Sequence, residues 1–338
     1  MRSVVVTGPG KVEMLEVDTP TIGPKDVLVR MRASGICGSD AMYIAVGGIP
    51  PHQGATRLGH EPAGEICEVG DEVTGLAVGD HVVFDTMAFT DGLLGSGGAQ
   101  GGLSEYVVVH DAQPGRQVRV IPSDVPWEVA ALNEPMAVAR HAVNRLELAP
   151  GAKVVVFGAG PIGLGAVLSA KALGAEHVVV VDIQPNRLET ALKVGADAVV
   201  NSAEEDVKAR LIELHGTAGP SFLRDARPDT DGYIDAAGVP SVIETILGMV
   251  KHRAVVSVPA VHKAPVPVDL GKILMTEVDI RLAMGYPTEI FEVTDDIIAN
   301  VDKYRQIVSD VVPFDRALEG ITLAATPGAA DKVVIVME

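Results

Sequence analysis

The side chains best suited to chemistry stand in three short segments of the chain. Cys37 lies in "SGICGSD", the adjacent His60 and Glu61 lie in "LGHEP", and Glu134 lies in "NEPMAVARHAV". Cysteine, histidine and glutamate are ligand types that zinc prefers, and a catalytic site needs three of them with one position open. A second interpretation is that Cys37 is a small buried apolar residue and the others are structural polar groups. The residue types alone leave both interpretations open.

A glycine pattern further along the chain predicts a nucleotide site. "VVVFGAGPIGLGAV" places Gly158, Gly160 and Gly163 directly after a predicted strand and at the start of a predicted helix. In a dinucleotide-binding turn such glycines allow the tight turn, the approach of the pyrophosphate and close helix packing. Asp182 ends the next predicted strand, where a carboxylate accepts hydrogen bonds from the adenosine ribose and repels a 2′-phosphate. The pattern therefore predicts NAD rather than NADP; the alternative is a helix start with packing glycines.

The elements that position these residues change in type along the chain. Before about residue 130, short β-type runs broken by Gly, Pro and Asp predict an irregular antiparallel barrel or sandwich. From about residue 152, six apolar runs such as "KVVVFGAG" and "HVVVVDI" alternate with helical patterns. Continuous apolar runs indicate strands buried on both faces, so the predicted fold is α/β with a doubly wound parallel sheet.

Composition excludes several classes of function. The chain has 338 residues, enough for two domains, and a net charge of −18, which argues against nucleic-acid and anionic-membrane partners. Two cysteines cannot form a disulfide framework, and the N-terminus reads as strand and turn rather than as a signal peptide. We therefore expect a cytoplasmic protein that does not enter membranes.

Taken together, these segments resemble the zinc-dependent medium-chain alcohol dehydrogenases, especially the polyol branch that contains sorbitol, butanediol and threonine dehydrogenases. The resemblance depends on "GICGSD", the His60–Glu61 pair with the glycines after it, "NEPMAVARHAV", and "GAGPIG" followed by "DIQPNRLE", in the family's order. It implies a GroES-like catalytic domain made of residues 1–140 and 286–338. Residues 141–285 would then form a Rossmann NAD-binding domain.

The resemblance also implies roles for individual residues. The metal site would comprise the zinc ligands Cys37, His60 and Glu61, with Glu134 in direct or water-mediated contact. Ser39 would hydrogen-bond the substrate alcohol, and Asp40 would orient the ligand histidine. Cys67 matches no ligand position and is expected in the core. The cofactor-binding residues would be Gly158, Gly160, Pro161, Ile162, Gly163, Asp182 and Arg187.

The implied activity is hydride transfer between NAD and a secondary alcohol or polyol, with a ketone as the substrate in reverse. An L-threonine-type amino alcohol dehydrogenase and a non-catalytic, crystallin-like nucleotide-binding protein remain as alternatives. A homodimer or homotetramer is expected. A neutral, partly apolar substrate would be lined by loop residues from the set Tyr43, Ile44, Met87, Phe89, Leu93 and Leu94.

Two departures from the family pattern carry predictions of their own. Many relatives bind a structural zinc on four closely spaced cysteines, but residues 84–105 contain no cysteine, so we predict one catalytic zinc per chain. Many relatives also place a proton-relaying histidine two residues after the aspartate of the first motif. Here that position is Met42, and a thioether cannot carry a proton.

Overall fold

The computed structural model describes residues 1–219 and 225–338, which form two compact units. The first unit comprises residues 1–134 and 290–338, and the second comprises residues 135–289. Within the described ranges, the helices all lack the length and apolar character that crossing a membrane requires.

The first unit is built mainly from strands. Up to residue 144 its elements are β1 (Arg2–Gly8), β2 (Lys11–Glu16), β3 (Val27–Gly35), α1 (Gly38–Val46), β4 (Thr56–Arg57), β5 (Glu61–Val69), β6 (His81–Phe84), β7 (Tyr106–Val109), β8 (Val118–Ile121), α2 (Trp127–Ala130) and α3 (Asn133–Asn144), the last of which continues into the second unit.

The second unit contains a parallel sheet with helices between its strands. In chain order the elements are β9 (Lys153–Phe157), α4 (Pro161–Ala172), β10 (His177–Asp182), α5 (Pro185–Val194), β11 (Ala198–Asn201), α6 (Val207–His215), β12 (Gly232–Asp235), α7 (Pro240–Met249), β13 (Val255–Val258), α8 (Leu270–Ile273) and β14 (Asp279–Leu282). The strand order is β11-β10-β9-β12-β13-β14, with every neighbouring pair parallel. The predicted doubly wound α/β sheet is confirmed.

The chain then returns to the first unit. Its last elements are α9 (Glu292–Ala299), α10 (Val301–Arg305), β15 (Asp310–Pro313), α11 (Ala317–Ala325) and β16 (Val333–Val336). They complete a mostly antiparallel sheet in the order β15-β16-β3-β5-β6-β8, with β7 paired to β3. Strand β3 therefore lies between β16 on one side and β5 on the other.

The segment around Cys37 contains a helix in a region where only short β-type runs were predicted. Strand β3 continues to Gly35, and the helix α1 follows at Gly38. Cys37 is the N-cap of this helix, and its backbone N–H donates to the Asp40 Oδ2 at 2.9 Å. An aspartate at the third helical position stabilises a helix start in this way.

A histidine pair lies in the second unit, with the buried His215 on α6 and the half-buried His177 on β10. His215 is 3% exposed, with its Nδ1 2.7 Å from the Thr230 hydroxyl and its Nε2 3.1 Å from His177 Nδ1. Burial lowers the pKa of His215 to about 4, and the nearby charges of His177 and Lys153 act in the same direction. His215 is therefore held as the neutral ring.

Candidate functional site

The strand register brings three of the predicted metal ligands together. Strands β3 and β5 pair with Gly35 opposite Glu61, so the chain leaving β3 passes the start of β5. As a result one ligand atom each from Cys37, His60 and Glu61 lies within 4.8 Å of the others. The three residues are half-buried or buried.

This donor set fits zinc. A thiolate sulfur, an imidazole nitrogen and a carboxylate oxygen are the groups that zinc accepts in catalytic sites. Bonds of about 2.0–2.3 Å in a tetrahedral arrangement hold ligand atoms roughly 3.3–3.8 Å apart. The three ligand atoms, all within 4.8 Å of one another, lie close to that spacing.

His60, a predicted metal ligand, has Asp40 beside its Nδ1. The carboxylate of Asp40 is fully buried, and its Oδ1 lies 3.4 Å from His60 Nδ1, which leaves Nε2 for a metal. Burial alone would lower the pKa of the His60 ring, but the negative charge of Asp40 beside it holds that pKa well above its usual value. Ser39, on α1, places its hydroxyl 3.3 Å from His60 Nε2.

Lys332 is a part of this site that sequence analysis missed. Its side chain is 3% exposed, and its Nζ donates to the Glu61 Oε2 and, at 3.1 Å, to the Ile36 carbonyl. Strand β16 pairs with β3, so Lys332 and Glu61 reach toward each other across Gly35, where a Cβ would collide with the carboxylate. The only sequence signal is a lysine just before an apolar strand, which is too common to identify a buried ion pair.

Glu134 lies close enough to interact with these charges but outside the group of three. Burial raises the pKa of its carboxyl to about 8, the charge of His60 opposes this, and the charge of Glu61 adds to it. Without a cation Glu134 is therefore a neutral acid at pH 7, whereas a bound metal would favour its ionised form. Its contact with zinc, direct or through water, stays a prediction.

The predicted substrate-facing residues divide into two groups. Tyr43 is half-buried, and its ring centroid lies 6.3 Å from that of His60. Phe89 and Leu94, however, are buried in the core of the first unit, so they stabilise the loop instead of facing outward toward a substrate.

Cys67 is half-buried on β5, and its thiol donates to the Leu28 carbonyl at 3.4 Å. Burial raises the pKa of that thiol.

In the second unit the glycine turn has the geometry that a dinucleotide needs. Gly158 adopts a φ of +97°, a conformation that favours glycine. A Cβ at Gly163 would collide with the Gly158 carbonyl, so only glycine permits this approach of helix to turn. A Cβ at Gly160 would meet no atom within 4 Å, which leaves space beside the N-terminus of α4. Pro161 and Ile162 form the first turn of that helix.

Asp182 is held in place at the end of β10. Its Oδ2 accepts from the Ala159 N–H at 2.7 Å, and its Oδ1 accepts from Ile183 and Gln184 at 2.7 and 2.9 Å. A carboxylate oxygen can accept more than one hydrogen bond, so a ribose hydroxyl can be added. Arg187, half-buried, lies in the first turn of α5 just beyond.

Comparison with known proteins supports both units. The alcohol dehydrogenase GroES-like domain matches residues 23–120, and the zinc-binding dehydrogenase domain matches residues 161–300. Sorbitol dehydrogenase from Bombyx mori is 30% identical over 98% of this chain and 97% of that protein. L-threonine 3-dehydrogenase from Burkholderia cenocepacia is 31% identical over 86% of this chain and 85% of that protein.

A solved structure agrees with the fold along its whole length. 2R,3R-butanediol dehydrogenase from Bacillus subtilis has a TM-score of 0.85 and 25% sequence identity, and 99% of each chain is covered. The two family models and the match to sorbitol dehydrogenase likewise extend over both units. The chain therefore belongs to the zinc-dependent medium-chain alcohol dehydrogenase family, in its polyol branch, and its cofactors are zinc and a nicotinamide dinucleotide.

Proposed function

We propose that this zinc-dependent oxidoreductase transfers hydride between NAD and the hydroxyl-bearing carbon of a secondary alcohol or polyol. The observation that carries the proposal is the convergence of Cys37, His60 and Glu61 within 4.8 Å, in a chain whose second unit has the dinucleotide turn. The sorbitol and butanediol dehydrogenases among its relatives support an alcohol or polyol as the substrate class.

The roles of the chain's own residues follow from their positions. Cys37, His60 and Glu61 would hold the metal, with Glu134 in direct or water-mediated contact. When bound, zinc supplies Lewis acidity toward an alcohol or carbonyl oxygen, and NAD supplies the hydride acceptor. The Ser39 hydroxyl, 3.3 Å from His60 Nε2, would relay the proton that the alcohol loses, taking it up as it releases its own hydroxyl proton to water.

Asp182 supports NAD as the preferred cofactor. Three backbone N–H groups hold its carboxylate, so it cannot easily turn away from a 2′-phosphate. Placing a phosphate against this charge costs on the order of 3 kcal/mol, which is a preference of about two orders of magnitude. Equal kcat/KM values with NAD and NADP would contradict this assignment.

One panel of measurements tests the activity. Purified protein is assayed for zinc and for NAD reduction with butanediol, sorbitol and L-threonine, the last because threonine dehydrogenases are among the relatives. We expect zinc-dependent turnover with a diol or polyol that exceeds turnover with threonine. Cys37→Ser should lose zinc and activity but still bind NADH, since the nucleotide turn lies in the other unit. Full activity of that variant after metal removal would refute the metal assignment.

An apolar surface on the second unit supports self-association as a homodimer. Strand β14 forms the edge of the described sheet, and large apolar side chains are exposed on it and near it: Leu270, Leu274, Ile280, Leu282 and Met284, the last 84% exposed. An apolar edge strand is a template for pairing with a second copy. Leu282→Lys should lower the molar mass measured by light scattering. Val78→Lys should not, because Val78 is also largely exposed but lies in the first unit.

A further inference from the structure

A histidine–aspartate pair lies at the carboxyl ends of two neighbouring strands in the second unit. Asp235 ends β12 and is fully buried, and its Oδ2 lies 2.8 Å from the Nε2 of His262, which follows β13. The other oxygen accepts backbone N–H bonds from Ala237 and Gly238, both at 3.0 Å. Because a carboxylate only accepts, Nε2 of His262 donates.

The ring of His262 is held from this side alone. Its Nδ1 is buried and finds no hydrogen-bond partner among the described residues. The Asp235 bond is therefore the polar interaction that fixes the ring. Two backbone N–H groups fix Asp235, so its bond to His262 holds the imidazole ring in one position.

The pair joins loops that pack against one another at the nucleotide edge of the sheet. A Cβ on Gly158, in the dinucleotide turn, would lie 3.0 Å from Ala236, just after Asp235. A Cβ on Gly238, which has a φ of +71°, would lie 3.1 Å from the carbonyl of Val261, next to His262. The turns after β9, β12 and β13 thus form one packed surface.

In a doubly wound sheet a dinucleotide lies across the carboxyl ends of the strands, with one mononucleotide on each half. Asp182, the proposed ribose ligand, belongs to the half formed by β9, β10 and β11. The half formed by β12, β13 and β14 would therefore face the nicotinamide mononucleotide. We propose that His262, held by Asp235, is a positioning residue that fixes the loop after β13 against the nicotinamide half of NAD. The inference rests on the proposed function.

The test compares two ligands on zinc-loaded protein. NADH carries both halves of the cofactor and ADP-ribose lacks the nicotinamide, so the ratio of their Kd values isolates that half. His262→Phe keeps a ring but removes the donor, and His262→Gln keeps a donor for Asp235. His252→Phe is the matched control, because His252 lies 3.3 Å from Glu277 in the same unit but at the amino end of β13.

We expect His262→Phe to raise the Kd for NADH about tenfold or more and to leave that for ADP-ribose nearly unchanged, as loss of a hydrogen bond to a buried charge would. His262→Gln should recover most of the affinity, and the control should change neither Kd. If the phenylalanine ring prevents folding, His262→Ala tests the same ratio.

Equal weakening of both ligands would overturn the inference, since a merely structural role predicts it. An unchanged Kd for NADH, or a glutamine variant as weak as the phenylalanine one, would overturn it as well. Failure of the unmodified protein to bind NADH would instead refute the proposed function on which the inference rests.

Discussion

Replacing Lys332 by methionine should reveal how charge is balanced around the metal site. The side chains of Lys332 and Glu61 are 3% and 1% exposed, so the pair is isolated from solvent. Methionine keeps the unbranched shape but removes the cation, and Glu61 would remain as a buried charge. Breaking a buried pair in this way costs about 3–5 kcal/mol. We expect the metal-free variant to lose about that much of its free energy of unfolding.

Zinc should reverse most of this loss. A divalent cation at Cys37, His60 and Glu61 would compensate the Glu61 charge directly, so the zinc-loaded variant should be only about 1 kcal/mol less stable than the original protein. In the thermodynamic cycle, the gain in zinc affinity equals the difference between the stability lost without zinc and the stability lost with zinc. The variant should therefore bind zinc more tightly by at least about 2 kcal/mol, roughly thirtyfold in Kd.

Two measurements check this reasoning. Urea unfolding of the original protein and of the variant, each with and without zinc, gives four free energies of unfolding. Competition with a chelator gives the Kd of each protein for zinc. Lys25→Met is the control, since Lys25 and Glu72 are exposed and 4.0 Å apart, where an ion pair contributes little. A variant that binds zinc more weakly than the original protein would refute the charge-balance argument. It would show that Lys332 acts mainly by holding Glu61 in place.

Four further outcomes are expected. Ser39→Ala should lower turnover by about 10²-fold. Met42→Ala should change turnover little, and its pH–rate profile should show no histidine-like limb. The reverse pattern would contradict a proton relay through Ser39. Asp182→Ala should reduce the ratio of kcat/KM for NAD over NADP, and an unchanged ratio would show that this carboxylate does not face the ribose. Elemental analysis should find one zinc per chain, because residues 84–105 contain no cysteine, and two tightly bound ions would refute this. Because the pKa of His215 is lowered to about 4 in the folded protein, the unfolded chain binds more protons between pH 6.5 and 4. Stability should therefore fall by about 3 kcal/mol as the pH drops through that range, and His215→Gln should flatten the loss in urea unfolding. Parallel pH curves for the two proteins would contradict this.

Much of the fold of the second unit could be predicted because each of its elements has a recognisable sequence pattern of its own. Buried parallel strands are apolar throughout, so each strand is visible in the sequence by itself, and the glycine spacing reports a turn formed within a few residues. Cys37, His60 and Glu61 could also be proposed as metal ligands from the sequence. Their residue types and the order of their motifs are enough to show the resemblance to the zinc-dependent dehydrogenases. The helix that begins at Gly38 was missed because its start is marked only by the capping of Cys37 by Asp40.

What the sequence by itself determined is thus the list of local elements and the chemical types available for a metal and a nucleotide. Only the tertiary structure revealed two further contacts between distant groups, those of Lys332 with Glu61 and of His262 with Asp235. Lys332 is separated from Glu61 by 271 positions, and the two meet only because β16 and β5 flank β3 at Gly35. His262 meets Asp235 only because β13 lies next to β12. The physical reason is that pairing and burial of charges depend on strand register across the sheet, which no local run of residues encodes.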